Sequence, residues 1–189
     1  MDRKRLKVGV ILVGHGQLPK DLPPAIKGEY LSLKFKVHRS AEEEERFRSL
    51  ETTVLRWPRN EFNDPYAHSL RVLAEELKRV GSYDRIWVAF NEFCEPTLEE
   101  ALDEVARSDS DVVVIVTTMT TRGGEHAEEE IPAQIERFKP KMGNKVVIYA
   151  WPFDPSSVAE MLAKNIEKHL QQAFDDEANE SNVLQKLDS

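Results

Sequence analysis

The chain has one cysteine, Cys94, among 189 residues. A single thiol excludes an internal disulfide and any metal site assembled from several cysteines. Cys94 therefore reads as a small buried apolar residue. Long hydrophobic runs are also missing. No segment approaches the roughly 18–20 consecutive apolar residues of a membrane span. The basic start, Met1 to Lys7, is followed only by the short apolar run Val8 to Val13, below the roughly 7–15 residues of a secretory signal core. No small-residue cleavage site follows it, so a cytoplasmic protein without a membrane partner is expected. Excess positive charge is absent too. The formal net charge is −8, and nucleic-acid binding would need a clustered basic face that the sequence does not display. A local pocket can still be positive on an acidic protein, so an anionic ligand is compatible with this charge. Neither a P-loop nor a Gly-x-Gly-x-x-Gly pattern is present, which argues against a nucleotide-dependent enzyme. No internal repeat is visible.

What is present is enough apolar sequence for one core, at 40% of residues. The stretch Leu6 to Gly16 organises the rest. Its run Val8 to Val13 is rich in β-branched residues without clear polar alternation, as in a strand buried on both faces of a parallel sheet. It ends in Gly14-His15-Gly16, where glycines allow a sharp turn and close approach of a ligand. Pro19, Pro23 and Pro24 predict an extended loop or a broken helix start. Residues 28–63 look inserted, and Tyr30 to Val37 is ambiguous. Ser40 followed by Glu42 to Glu45 predicts a helix start, with the helix reaching about Leu55.

Asp64-Pro65 is a helix-start signal. Leu70, Val72, Leu73, Leu77 and Val80 then give helical spacing up to Gly81. A second strand is predicted over Asp84 to Phe90, and a helix over Thr97 to Arg107 with Leu98, Ala101, Leu102 and Val105 on one face. Val112 to Thr117 is the clearest buried strand. The next helix, Ala127 to Phe138, is expected to be kinked or divided at Pro132. Lys145 to Ala150 makes a fourth strand. Asp154-Pro155 opens a last helix, expected to bury Val158, Met161, Leu162, Ile166 and Leu170. The expected organisation is one α/β domain over 1–174 and a frayed polar tail over 175–189. Strands alternating with helices imply a parallel sheet with right-handed crossovers.

Two predicted strand ends carry a glycine-flanked histidine: Gly14-His15-Gly16 and Gly123-Gly124-Glu125-His126. In a parallel sheet every strand's carboxyl end lies on one edge, so His15 and His126 are expected to converge. The second strand ends at that edge with Glu92 and Glu95. Two imidazoles and a carboxylate suit a borderline first-row divalent metal, and imidazole also exchanges protons near neutral pH. Taken singly, each piece has a plain alternative: a βα turn, a helix start, a surface ion pair. His38, His68 and His169 are expected to be ordinary surface or packing histidines.

Three stretches carry a family resemblance: Val10 to Gly16, Ala89 to Leu102, and Val112 to Val116 with Gly123 to Pro132. The chain resembles the small sirohydrochlorin cobaltochelatases and ferrochelatases, the class II tetrapyrrole chelatases, over residues 5–22 and about 64–172. That resemblance implies a chelatase-like, flavodoxin-like three-layer fold with a mainly parallel four-stranded sheet and a helical insertion after the first strand. It implies insertion of Co2+, Fe2+ or Ni2+, as substrate, into sirohydrochlorin or a related tetrapyrrole, with no bound organic cofactor. The family's metal-site histidines fall on His15 and His126, and its acidic residue on Glu92. Gly14, Gly16, Gly123 and Gly124 would admit a flat ligand, and Arg122 could pair with a substrate carboxylate. Backbone amides near Gly124 could do the same.

The chain departs from the family at Gln17-Leu18-Pro19-Lys20, at Arg122 and in the insertion 28–63, a candidate lid or dimerisation arm. Trp57 and Phe62 within it are expected to pack on the core rather than stack on a tetrapyrrole. Larger family members enclose substrate between two similar halves, so this single half is expected to form a homodimer. A non-catalytic tetrapyrrole or metal carrier using the same pocket is the competing reading.

Overall fold

A computed structural model describes residues 5–187, with side chains described for residues 5–175. Strand β1 (Val8–Gly14) lies inside a four-stranded sheet with β2 (Arg85–Phe90), β3 (Val112–Thr117) and β4 (Val146–Tyr149). The order is β2-β1-β3-β4 and every pairing is parallel. The β-branched runs explain this arrangement, since Val10, Ile11, Leu12 and Val13 are buried toward both faces.

The chain leaves β1 for β2 through α3 (Pro65–Val80), which packs on one face through Ala67, Leu70 and Ala74. It then returns across β1 to β3 through α4 (Leu98–Arg107) and on to β4 through α5 (Ile131–Phe138), both on the other face. The carboxyl ends of β1 and β3 therefore flank a topological switch point, where open α/β sheets place their ligands. Asp64 caps α3 by accepting from the Ala67 amide, and Thr97 and Glu100 form a reciprocal capping box on α4.

The insertion folds into two helices, α1 (Pro24–Lys34) and α2 (Ala41–Leu55), with α2 opened by a Ser40–Glu43 capping box. They share their own small core of Leu22, Tyr30, Leu33, Phe47, Leu50 and Val54. Arg59 ties this core to the sheet. Its guanidinium pairs with Asp64 at 2.6 Å and donates to the carbonyls of Gln17, Val54, Trp57 and Phe93. The two side chains are 6% and 0% exposed, so the charges have each other and not water.

Several expectations need correction. The ambiguous stretch from Tyr30 is the second half of α1, which starts at Pro24; an exposed glycine in its middle, Gly28, interrupts the helical pattern. On α3 the buried stripe is carried by two alanines and Leu70, while Val72, Leu73 and Val80 are exposed. Trp57 packs on the insertion core and donates to Asp21, but Phe62 is 80% exposed. The last helix, α6 (Pro155–Leu187), does not fray at 175 but runs 33 residues, started by Asp154 accepting from the Ser157 amide. Its Met161, Leu162, Ile166 and Leu170 are exposed, not buried. By backbone contacts the chain clusters into two compact units, with the division between Trp151 and Pro152. No helix among the described residues is long and apolar enough to cross a membrane.

Candidate metal centre

The first candidate ligand follows directly from how β1 ends. Gly14 and Gly16 hold His15 between two tight contacts. A β-carbon on Gly14 would meet Leu70 at 2.5 Å, and Gly16 has φ +94°, a left-handed conformation that favours glycine. The backbone on either side is pinned. The Asn91 amide donates to the Gly14 carbonyl, the Glu92 amide to the His15 carbonyl, and the His15 amide to the Tyr66 hydroxyl at 2.8 Å. The His15 Nδ1 lies 2.8 Å from the Gly16 carbonyl. A carbonyl only accepts, so Nδ1 carries the proton and Nε2 keeps its lone pair.

Glu92 enters from the end of β2. The next residue, Phe93, has φ +61°, and its carbonyl is held by Arg59. This bend turns the Glu92 carboxylate toward the histidine. Its Oε2 is 3.9 Å from His15 Nε2, while Oε1 is 2.9 Å from Lys34 Nζ on α1.

His126 comes from the loop after β3. Residues His126–Glu130 form one π-helical turn, closed by the Ile131 amide donating to the His126 carbonyl, and α5 follows with Pro132 in its first turn. Proline has no amide hydrogen to donate to the Glu128 carbonyl, which favours the wider turn there. The division expected at Pro132 is thus a change of helix type. Tyr149, from the end of β4, donates its hydroxyl to the Ala127 carbonyl at 2.8 Å and braces the turn.

Within the π turn, His126 Nδ1 is 2.8 Å from Glu130 Oε2. A carboxylate only accepts, so this contact calls for a proton on Nδ1, and the neutral ring then has its lone pair on Nε2; Asn91 Nδ2, itself a donor, lies 2.9 Å from the same ring nitrogen. The Asn91 amide is 2.8 Å from the same oxygen and donates to it. Burial acts to raise the Glu130 carboxyl, but hydrogen bonds from Asn91 and His126 outweigh that and hold it below the usual range.

The two imidazoles meet edge to face with centroids 4.8 Å apart. His15, Glu92 and His126 each present a ligand atom within 4.8 Å of the others. Three residues separated by most of the chain therefore form a half-buried cluster able to take one divalent ion. A cavity of about 400 Å³ adjoins it, lined in part by Lys34, Asn91, Glu92, Phe93, Glu130 and Gln134.

The remaining sequence candidates are arranged differently. Arg122 is an exposed cation paired with Glu128 at 3.2 Å, and the Gly123 amide donates to the same Glu128 oxygen. That amide bond, followed by the Arg122 contact, lowers the Glu128 carboxyl. Glu128 thus already engages two of the groups that were expected to take a substrate carboxylate. Gly123 and Gly124 face open space. His38, His68 and His169 are exposed. Sequence reasoning missed Lys34, Asn91 and Glu130. Only Glu130 left a signal, its spacing four residues after His126 on one helix face.

The CbiX family model matches residues 63–169, more than half of the chain. The chain belongs to the CbiX family. The matched span includes Glu92 and His126; it begins at the last residue of the insertion and leaves out His15. A sirohydrochlorin cobaltochelatase from Methanopyrus kandleri (strain AV19) is 32% identical over 72 residues, which is 38% of this chain. The chain thus spans about half, 50%, of that curated relative's length. Among solved structures, a CbiX protein from Marinobacter aquaeolei VT8 matches with a TM-score of 0.51 at 17% identity, covering 87% of this chain and 98% of that one. That likeness shows that the two chains share the same α/β fold. The sirohydrochlorin chelatase SirB from Bacillus subtilis subspecies spizizenii, in complex with cobalt, matches at 0.45 and 16% identity, over 78% of this chain and 44% of its own.

Proposed function

We propose that this CbiX-family chain inserts a divalent metal, Co2+ in the first instance, into sirohydrochlorin or a closely related tetrapyrrole. The observation that carries the proposal is the convergence of His15, Glu92 and His126 at one sheet edge, each with a ligand atom within 4.8 Å of the others, while the Nδ1 of both rings is engaged elsewhere. The cobaltochelatase relative supports the substrate class.

The chemistry needs three things: a metal held loosely, an open side for a flat ligand, and bases for two pyrrole protons. In the proposed reaction, His15 Nε2, His126 Nε2 and Glu92 Oε2 receive the ion. The macrocycle nitrogens then replace them as ligands. The two pyrrole protons leave for the two Nε2 lone pairs that the metal has vacated, so charge and atoms balance. His15 and His126 thus act first as ligands and then as proton acceptors. Their Nδ1 partners, Gly16 and Glu130, hold both rings in the tautomer this requires. No organic cofactor enters the scheme. A second copy of the chain is the proposed cover for the other face of the macrocycle, which sedimentation velocity with and without ligand would read as a dimer.

The test is an anaerobic absorbance assay with sirohydrochlorin and Co2+, Fe2+ or Ni2+ in turn, with the uncatalysed rate subtracted. Wild-type insertion that is lost in folded His15→Ala and His126→Ala variants supports the proposal and ranks the metals. Ligand binding without turnover for any metal would replace it with a tetrapyrrole carrier.

A further inference from the structure

The insertion supplies one group to the centre. Lys34 is the last residue of α1, and its Nζ lies 2.9 Å from Glu92 Oε1. The pair is largely shielded, with side chains 21% and 17% exposed, so water screens it less than a surface ion pair. The lysine is aimed and not merely nearby. Its ammonium lies 5.3 Å from the centre of the Phe93 ring. That ring meets the buried Tyr30, one turn earlier on the same helix, edge to face. The position at the carboxyl end of a helix also favours a cation.

This contact divides the two oxygens of Glu92. Oε1 belongs to Lys34, and Oε2 is left facing His15. A carboxylate held by one oxygen offers a metal one ligand atom. The ammonium charge beside it repels a dication in the same half-buried space.

We propose that Lys34 is a positioning residue that restricts Glu92 to one-oxygen ligation and keeps the centre's hold on its divalent metal weak. The inference rests on reading His15, Glu92 and His126 as the metal ligands. Weak holding is what a metal-transferring centre requires, because an ion bound too firmly is not released to the macrocycle. The insertion then has a role in the centre itself, through this half-buried lysine–glutamate contact.

Isothermal titration of the full chain with Co2+ tests this directly, with the visible absorption of bound Co2+ as a second readout. The variants are Lys34→Met, Lys34→Gln and Lys34→Arg, each checked for native circular dichroism. Outer-shell partners change metal affinity by about 10–100-fold, so Lys34→Met and Lys34→Gln are expected to bind Co2+ about tenfold more tightly and release it more slowly to a chelator. Lys34→Arg, which keeps the charge, is expected to stay near wild type, and the absorption band is expected to change only in the neutral variants. Wild-type binding that is lost in His15→Ala but unchanged or weakened in both neutral Lys34 variants overturns this inference alone. No Co2+ binding by the wild type overturns the metal-centre reading and this inference with it.

Discussion

A β-carbon on Gly16 would stand 1.8 Å from the carbonyl oxygen of Glu92. The two ends of β1 and β2 are therefore packed backbone to backbone, and the first histidine and the carboxylate are set relative to each other by that contact. Gly16→Ala has to move one of them. The left-handed backbone alone costs about 1–3 kcal/mol for a side-chain-bearing residue. Gly16→Ala is expected to lower the urea midpoint and to lose Co2+ binding, whereas Gly28→Ala, on the open surface of α1, is expected to raise stability slightly. Equal behaviour of the two variants would contradict the close packing.

Glu130→Gln separates fold from site. The amide offers a weaker neutral oxygen and can turn its NH2 toward His126 Nδ1 instead, so the tautomer that frees Nε2 is no longer enforced. Loss of such a partner costs about 10–100-fold in metal affinity, and a fall in that range in Co2+ titration is expected, with a thermal midpoint close to wild type.

The same residue contributes to acid stability with a defined sign. The Glu130 carboxyl is held below its ordinary range in the folded chain. Its contribution is fully present above the unfolded value of about 4.3 and is lost as pH falls through the lower folded value. Urea midpoints measured from pH 6 down to pH 3 are expected to fall less steeply in Glu130→Gln than in the wild type.

Tyr149 gives the alkaline counterpart. Burial pushes its phenol up to about 12. The unfolded phenol ionises near 10, so its contribution is present below that pH and is lost as pH rises from about 10 toward 12. Tyr149→Phe is expected to flatten that alkaline decline. It also removes the hydrogen bond to Ala127, at a cost of about 1 kcal/mol at neutral pH. An ultraviolet titration of the wild type showing all four tyrosines ionising near pH 10 in the folded state would contradict this.

Arg59→Met leaves Asp64 buried without its cation. Breaking such a pair costs about 3–5 kcal/mol. It is expected to unfold the chain at much lower urea, whereas removing an exposed pair such as Arg79–Glu76 is expected to change the midpoint little.

The sheet and the two histidines were legible because their signals are local. Val8 to Val13 and Val112 to Thr117 are continuous apolar runs, and Gly-His-Gly marks a strand end without reference to anything distant. The capping residues Ser40 and Asp64 likewise announced their helices. Lys34 was not legible, because nothing in the ambiguous stretch Tyr30 to Val37 states that Glu92, far along the chain, will lie beside it. Asn91 was hidden by its neighbour Glu92, the more conspicuous candidate. The α3 face was misread because alanine carries little hydropathy signal, yet it is the small side chain that lets a helix approach the sheet closely. The pairing of Arg122 with Glu128 was hidden as well, because Glu128 sits across a turn and spacing alone does not reveal it.

The centre draws one group each from the ends of β1, β2 and β3, with β1 paired to both neighbours. No contiguous peptide contains the set, and no pair of adjacent strands completes it. On the proposed function, Co2+ affinity is therefore expected to report tertiary structure: a nick or a local opening that parts any one of three strands would release the ion, and a bound ion would in turn clamp those strands together by mass action.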